Sequence, residues 1–176
     1  MAASLVITAI GPDRPGIVNQ LSDVAKRFGA NWAESRMASL AGHFAGMVHF
    51  EVAEANADPL AAALRELESS GLRIVVERAG TGARMVPFRK LRLELVGHDR
   101  PGIVRDLSQR LAERGISIDE LHTHVVDAAM AGGPLFTVKA LLAVPETLPV
   151  EEVKRGLEAL ANEMMVDLSL GEPPGG

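Results

Sequence analysis

Gly11-Pro-Asp-Arg-Pro-Gly16 recurs almost unchanged further along this chain, as Gly97-His-Asp-Arg-Pro-Gly102. Ile-Val follows each copy, so seven of eight positions match at an offset of 86 residues. An apolar run precedes each copy, Leu5 to Ile10 and Leu91 to Val96, and an amphipathic stretch follows it. Because short apolar runs rich in β-branched residues form buried strands and apolar residues at helical spacing form helices, each copy is predicted to join a strand to a helix.

The glycines and prolines of the loop suit a tight turn that opens a helix. Gly11 and Gly97 are predicted to adopt backbone angles that a Cβ would forbid. Pro15 and Pro101 suit the first helical position, where the missing N–H has no intrahelical partner in any case. The repeated loop is therefore predicted to be a helix start.

Two interpretations of the remaining loop residues stay open from the sequence alone. Asp13 and Asp99 are placed to cap the free amides at the positive end of the helix, and would then consume those donors. Alternatively, Gly16 and Gly102 leave that end bare, so that backbone amides can bind a small anion such as an amino-acid carboxylate. The candidate ligand-binding residues are the twelve of the two loops: Gly11, Pro12, Asp13, Arg14, Pro15, Gly16, Gly97, His98, Asp99, Arg100, Pro101 and Gly102.

The order of elements after the loop is the same in both halves of the chain. Each half reads β-α-β-β-α-β, and the second helix of the first half is predicted to have Asp58 as its cap and Pro59 in its first turn. The fold prediction is α+β: two tandem ferredoxin-like domains, each an antiparallel sheet with helices on one face. We place the first domain at residues 1–79, a linker at 80–88, the second domain at 89–170 and a disordered tail at 171–176. About seven extra residues in the second half are assigned mainly to the hairpin after Val126.

Composition argues against several classes of function. The net charge of −5 and an aromatic content of 3%, with no tyrosine, argue against a nucleic-acid binder. The absence of cysteine excludes disulfides, thiolate metal sites and thiol nucleophiles. No basic leader segment and no apolar run of membrane-spanning length occur, so a soluble, cytoplasmic protein without membrane association is predicted.

One strand of the second half carries residues that could bind a metal. Glu120, His122 and His124 alternate, so all three point to one face, while Leu121, Thr123 and Val125 are predicted to face the core. Two imidazoles and a carboxylate are a possible metal set. An open polar sheet face explains the same residues, and no metal site is predicted.

Nothing in the sequence indicates catalysis. His98-Asp99 could form an acid/base pair, but the first copy of the loop has Pro12 where the second has His98, which excludes a shared catalytic role. No nucleophile elbow, phosphate-binding loop or zinc-protease motif occurs. We predict neither enzymatic activity nor a cofactor. Trp32, at the start of a predicted strand, fits an interface or the core equally well.

The repeated loop and the element order resemble the ACT domain, and two such units with little else resemble the glycine cleavage system transcriptional repressor family. The resemblance implies a sensor that binds a small amino acid, such as glycine, near the first loops and modulates a protein partner, such as a DNA-binding regulator. It also implies side-by-side pairing of domains, and a homodimer is expected. The alternative is a ligand-free interaction module, in which the loop is only a helix start.

Overall fold

The computed structural model describes residues 1–80, 86–128, 130 and 132–173. The chain divides into two compact units, Met1–Ala83 and Arg84–Gly176. Among the described residues, no helix is long and apolar enough to cross a membrane.

The first unit is a four-stranded antiparallel sheet with two helices. The strands lie in the order β2-β3-β1-β4, so that β1 is central. The elements in chain order are β1 (Ala2–Pro12), α1 (Ile17–Arg27), β2 (Asn31–Leu40), β3 (His43–Ala53), α2 (Glu54–Glu66), a 3₁₀ turn (Leu67–Ser70) and β4 (Arg73–Arg78).

The second unit repeats this architecture, with strands in the order β6-β7-β5-β8. Its elements are β5 (Phe88–His98), α3 (Ile103–Ala112), β6 (Ser117–Ala128), β7 (Gly133–Pro145), α4 (Val150–Met164) and β8 (Asp167–Gly171). The predicted α+β fold of two ferredoxin-like βαββαβ units is confirmed. Two boundaries differ: Phe88, assigned to the linker, begins β5, and Gly171, assigned to the tail, ends β8. Residues 81–85 of the predicted linker and 174–176 of the predicted tail lie outside the described residues.

Each unit has its own hydrophobic core between its sheet and its helices. Alternation along the central strand supplies one side of it: Leu5 and Ile7 in β1, and Leu93 and Leu95 in β5, are at most 2% exposed. The helices supply the other side through apolar residues at helical spacing. Those stripes are Ile17, Leu21 and Val24 in α1; Leu60 and Leu64 in α2; Ile103, Leu107 and Leu111 in α3; and Val153, Leu157 and Leu160 in α4.

The predicted start of α2 is wrong. The helix begins at Glu54, directly after β3, and Pro59 lies inside it. The proline removes the hydrogen bond to the carbonyl four residues earlier, but Glu54, Ala55 and Ala57 before it have high helix propensity and extend the helix by a turn. Asp58 does not cap the helix; its carboxylate accepts a hydrogen bond from Arg78 at 3.2 Å. Arg78 also donates to Glu54, and this bond, followed by that to Asp58, raises the pKa of the Arg78 guanidinium.

The edge strand β6 is more exposed than its sequence indicates. Leu121, Thr123 and Val125 alternate as predicted, but they are exposed, with Leu121 at 40% and Val125 at 55%. Ile118, nearer the start of β6, still packs against the core, so the strand extends beyond the part of the sheet that the helices cover. In the first unit, two residues separate the paired residues Leu40 and His43. In the second unit, eight residues separate the equivalent pair, Val126 and Leu135. Six of the extra residues therefore lie in this hairpin.

Met165 ends α4 in the left-handed conformation, at φ 54°, where the first unit has Gly71 at φ 91°. Its side chain is 86% exposed, so little packing depends on it. Because a Cβ is disfavoured at positive φ, we expect Met165→Gly to raise the free energy of unfolding by about 0.5–1 kcal/mol, net of the added freedom of the unfolded chain. Urea denaturation followed by circular dichroism measures this. Gly71→Ala is the matched reverse change and should be destabilising; a loss of stability in Met165→Gly would contradict the prediction.

Candidate functional site

The two loops of the repeat lie at equivalent places in the two units. Each follows the central strand of its sheet, because β1 ends at Pro12 and β5 at His98. The twelve candidate residues therefore form two clusters, one in each unit. At the strand ends, Pro12 pairs with His43 and His98 with Leu135, which links both loops to the neighbouring hairpins.

Each helix begins one residue after a left-handed glycine, which corrects the predicted position of the prolines. The N-cap residues are Gly16, at φ 92°, and Gly102, at φ 97°. Pro15 and Pro101 precede these glycines and are not in the first helical turn. Only glycine adopts such angles without strain, and a Cβ at Gly16 would meet no atom within 4 Å. The surface beside the start of α1 is therefore bare.

The predicted capping by the aspartates is wrong in both copies. No side chain caps α1 or α3. It is the backbone N–H of Asp13 that donates, to the Gly42 carbonyl at 2.9 Å, and that of Asp99 donates to the Pro134 carbonyl at 3.0 Å. The aspartates thus tie the loops to the hairpins through the main chain. The amides at both helix starts keep their capacity to bind an anion.

Gly11 and Gly97 are required for a different reason from the predicted one. Neither has a positive φ. A Cβ at Gly11 would lie 2.7 Å from the carbonyl oxygen of Gly71, and one at Gly97 would overlap the side chain of Val166. The segment that enters the last strand of each unit crosses these glycines closely. Their role is close packing of the backbone.

The loop arginines turn back onto their own helices. Arg14 donates to Gln20 Oε1 at 2.9 Å, and to the hydroxyl and carbonyl of Ser70 at 3.1 and 3.3 Å. Arg100 lies 3.8 Å from Asp106, which occupies the position of Gln20 in the second repeat. The arginine is therefore held by neutral acceptors in the first unit and faces a carboxylate in the second.

The candidate metal ligands lie on the open face of the second sheet, but their side chains are not arranged around a common point. Glu120 Oε2 and His122 Nε2 are 4.0 Å apart, and His124 pairs with Thr137 in the β6–β7 register. Within the part of the chain that the structure describes, no group of three His, Asp or Glu side chains is arranged to hold a metal.

Trp32 is half-buried and packs against the core of the first unit. Its ring meets that of Phe50 edge-on, with centroids 5.3 Å apart and planes at 90°. Of the two interpretations open from the sequence, core packing is therefore the one observed.

A cleft between α3 and the C-terminal end of α4 is lined, apart from Arg100, by residues that the sequence did not single out. Its volume is about 270 Å³. It brings the loop residue Arg100 together with Asp106 and Arg110 of α3 and Glu163 of α4. Comparison of the repeats holds a signal for it, because Arg110 stands 86 residues after Val24, a buried member of the α1 stripe. A charged residue at the position of a core residue indicates that the two domains differ in function at this place.

Comparison with known proteins agrees with this architecture. ACT domains are recognised at residues 3–77 and again at 91–146. The chain belongs to the ACT domain family. The two loops described above are thus the connections between the first strand and the first helix of two tandem ACT domains.

Solved structures contain relatives of nearly the whole chain, and a curated protein is similar to part of it. A crystal structure of an unknown protein from Galdieria sulphuraria is 33% identical, covers 99% of this chain and 100% of that one, and has a TM-score of 0.87. A candidate glycine cleavage system transcriptional repressor shares the fold, at 22% identity, 97% coverage of both chains and a TM-score of 0.71. A UPF0237 protein of Streptococcus mutans is 28% identical over 78 residues, which are 44% of this chain and 82% of that protein.

Proposed function

We propose that this chain is a non-enzymatic regulatory protein that binds a small amino acid and reports its presence to a protein partner. The observation that carries the proposal is the pair of uncapped helix starts in the two ACT domains. Gly16 and Gly102 are N-cap residues without a capping side chain, and the carboxylates of Asp13 and Asp99 do not cap the helices either. The main-chain amides of the first helical turns can therefore bind a ligand. Main-chain N–H groups and the positive helix end are suited to a carboxylate.

Regulation would follow from linkage. A ligand that binds one arrangement of the protein more tightly than another shifts the population toward it, by no more than its difference in affinity. Such a device needs neither a catalytic group nor a cofactor. We propose that it operates in the cytoplasm, in a homodimer, without direct contact to nucleic acid.

The exposed edge strand β6 supports contact with a protein partner. Leu121 and Val125 lie on the same face of the strand and are 40% and 55% exposed, on a hairpin that is longer in the second domain. Apolar residues grouped on a surface are typical of interaction sites. The partner that we propose is a DNA-binding regulator. Glycine is the first ligand to test, because a solved structure with 22% identity is named as a candidate glycine cleavage system transcriptional repressor.

Thermal unfolding of the whole chain with each of the twenty amino acids tests the proposal. A ligand at 100 times its Kd stabilises the state that it binds by about 2.7 kcal/mol, so the midpoint of the whole chain should rise by about 5–10 °C. A panel in which no amino acid moves the midpoint would leave the ligand-free interaction module as the function.

Charge at the helix starts provides a matched control. The double variant Gly16→Asp and Gly102→Asp places carboxylates beside the amides and should remove the thermal response to the amino acid. Gly16→Asn with Gly102→Asn has the same shape without the charge, and asparagine tolerates positive φ. We expect the asparagine variant to keep most of the response; equal responses in both variants would contradict a carboxylate at these amides.

A further inference from the structure

The cleft of the second ACT domain, defined by Arg100, Asp106, Arg110 and Glu163, combines charges of both signs above an apolar floor. Leu160 and Met164 line it and are 3% and 5% exposed. At about 270 Å³ it lies just below the range of about 300–1,000 Å³ in which drug-sized ligands bind, so it suits a smaller molecule.

The ion pairs across this cleft are long. Arg100 Nη1 is 3.8 Å from Asp106 Oδ2, and Arg110 Nη2 is 3.4 Å from Glu163 Oε2. Well-formed bonds between guanidinium and carboxylate groups measure about 2.7–2.9 Å. All four side chains also remain between 33% and 71% exposed. A ligand carrying both charges can therefore offer each group a shorter bond than the one it has.

The corresponding place in the first domain is closed. Arg14 bridges it with three hydrogen bonds to Gln20 and Ser70, all between 2.9 and 3.3 Å. The position of Arg110 is taken there by Val24, which is 4% exposed and packs in the core. The first domain thus has one guanidinium at this place, and it is hydrogen-bonded. The second domain has two, and each lies at a longer distance from its carboxylate.

From this contrast we infer that the cleft between α3 and α4 is a binding site for a zwitterion, specific to the second domain. The carboxylate of a small amino acid is held by Arg100 and Arg110, and its ammonium by Asp106 and Glu163. Leu160 and Met164 contact its carbon atoms. The inference rests on the proposed function for the class of ligand, and it assigns that ligand a second site, formed by side chains of the second domain and separate from the main-chain amides of the helix starts.

Calorimetric titration of the whole chain with glycine and L-serine tests the inference. Arg110→Gln removes a charge-assisted bond and should weaken binding by about tenfold or more. Glu163→Gln should weaken it as well, through the ammonium. N-acetylglycine and glycinamide, which each lack one charge, should bind at least tenfold more weakly than glycine. The matched control is Arg155→Gln, a change to an exposed arginine of α4 outside the cleft, where the affinity should stay within about twofold of the original. Arg14→Gln tests the first domain as the alternative location of the ligand.

Each outcome either supports or overturns the inference that the cleft binds an amino acid. Weaker binding in Arg110→Gln, with unchanged circular dichroism and an unaffected Arg155→Gln, supports the cleft. Unchanged affinity in Arg110→Gln overturns the inference and leaves the proposed function standing. Loss of binding in Arg14→Gln alone overturns it too, by placing the ligand in the first domain. Failure of both amino acids to bind overturns the inference, and failure of the whole amino-acid panel in the thermal assay removes the proposed function separately.

Discussion

Phe50→Ala is expected to destabilise the first domain by about 4 kcal/mol, as is usual when a fully buried phenylalanine is truncated. Phe50 lies in β3 with no exposed surface, and it packs edge-on against Trp32. The change removes apolar contacts and the ring pair, and leaves a cavity that neighbouring backbone can close only in part. Because small domains are stable by only about 5–15 kcal/mol, the variant should be close to unfolding at physiological temperature.

Trp32 makes this measurement specific to the first domain. The chain has one tryptophan and no tyrosine, so its intrinsic fluorescence reports on the surroundings of that ring. Urea unfolding followed at Trp32 should move to lower denaturant in Phe50→Ala. Phe50→Leu keeps most of the volume and should cost less than about 1.5 kcal/mol. Equal costs for the two variants would show that the site relaxes around the lost ring and that the prediction is wrong.

Periodicity was sufficient to predict most of the fold. The apolar runs of β1 and β5 predicted strands, helical spacing in α1 and α3 predicted which helix faces are buried, and the repeat predicted the order of elements. The start of α2 was missed because Asp58-Pro59 is a good local start signal that the helix formers before it override. The exposure of β6 was missed because alternation says which face a residue shares, while coverage depends on how far the helices reach.

The residue types in the repeated loop predicted where the candidate site lies, but they did not predict which atoms contact one another there. Asp13 and Asp99 suit a helix cap by type, yet whether a side chain reaches the amides depends on the backbone angles before the helix. Gly16 and Gly102 supply a left-handed turn that leaves the helix starts uncapped. The cleft beside Arg110 is formed by two helices that are separated in the chain by β6 and β7, so a local sequence pattern does not predict that they meet.

Gly11→Ala is expected to destabilise the first domain by about 3 kcal/mol, the upper end of the usual cost of overpacking. The added Cβ would lie 2.7 Å from the carbonyl oxygen of Gly71 and 3.1 Å from a methyl carbon of Leu72. The carbonyl belongs to the main chain that enters β4, so no rotamer change can relieve the contact. Either β4 or the end of β1 must shift, and both are held by the register between Ile10 and Arg73.

Gly97→Ala in the second domain distinguishes a clash with the neighbouring segment from a requirement of the loop itself for glycine. There the obstructing atoms belong mainly to the side chain of Val166, which can be shortened. We expect Gly97→Ala to cost less than Gly11→Ala, and the double variant with Val166→Ala to show a favourable coupling of about 0.5–1 kcal/mol relative to the sum of the single changes. Urea unfolding, followed at Trp32 for the first domain and by circular dichroism for the second, gives both comparisons. Equal costs with no coupling would mean that the two glycines are needed for their loop and not for the segment that crosses them.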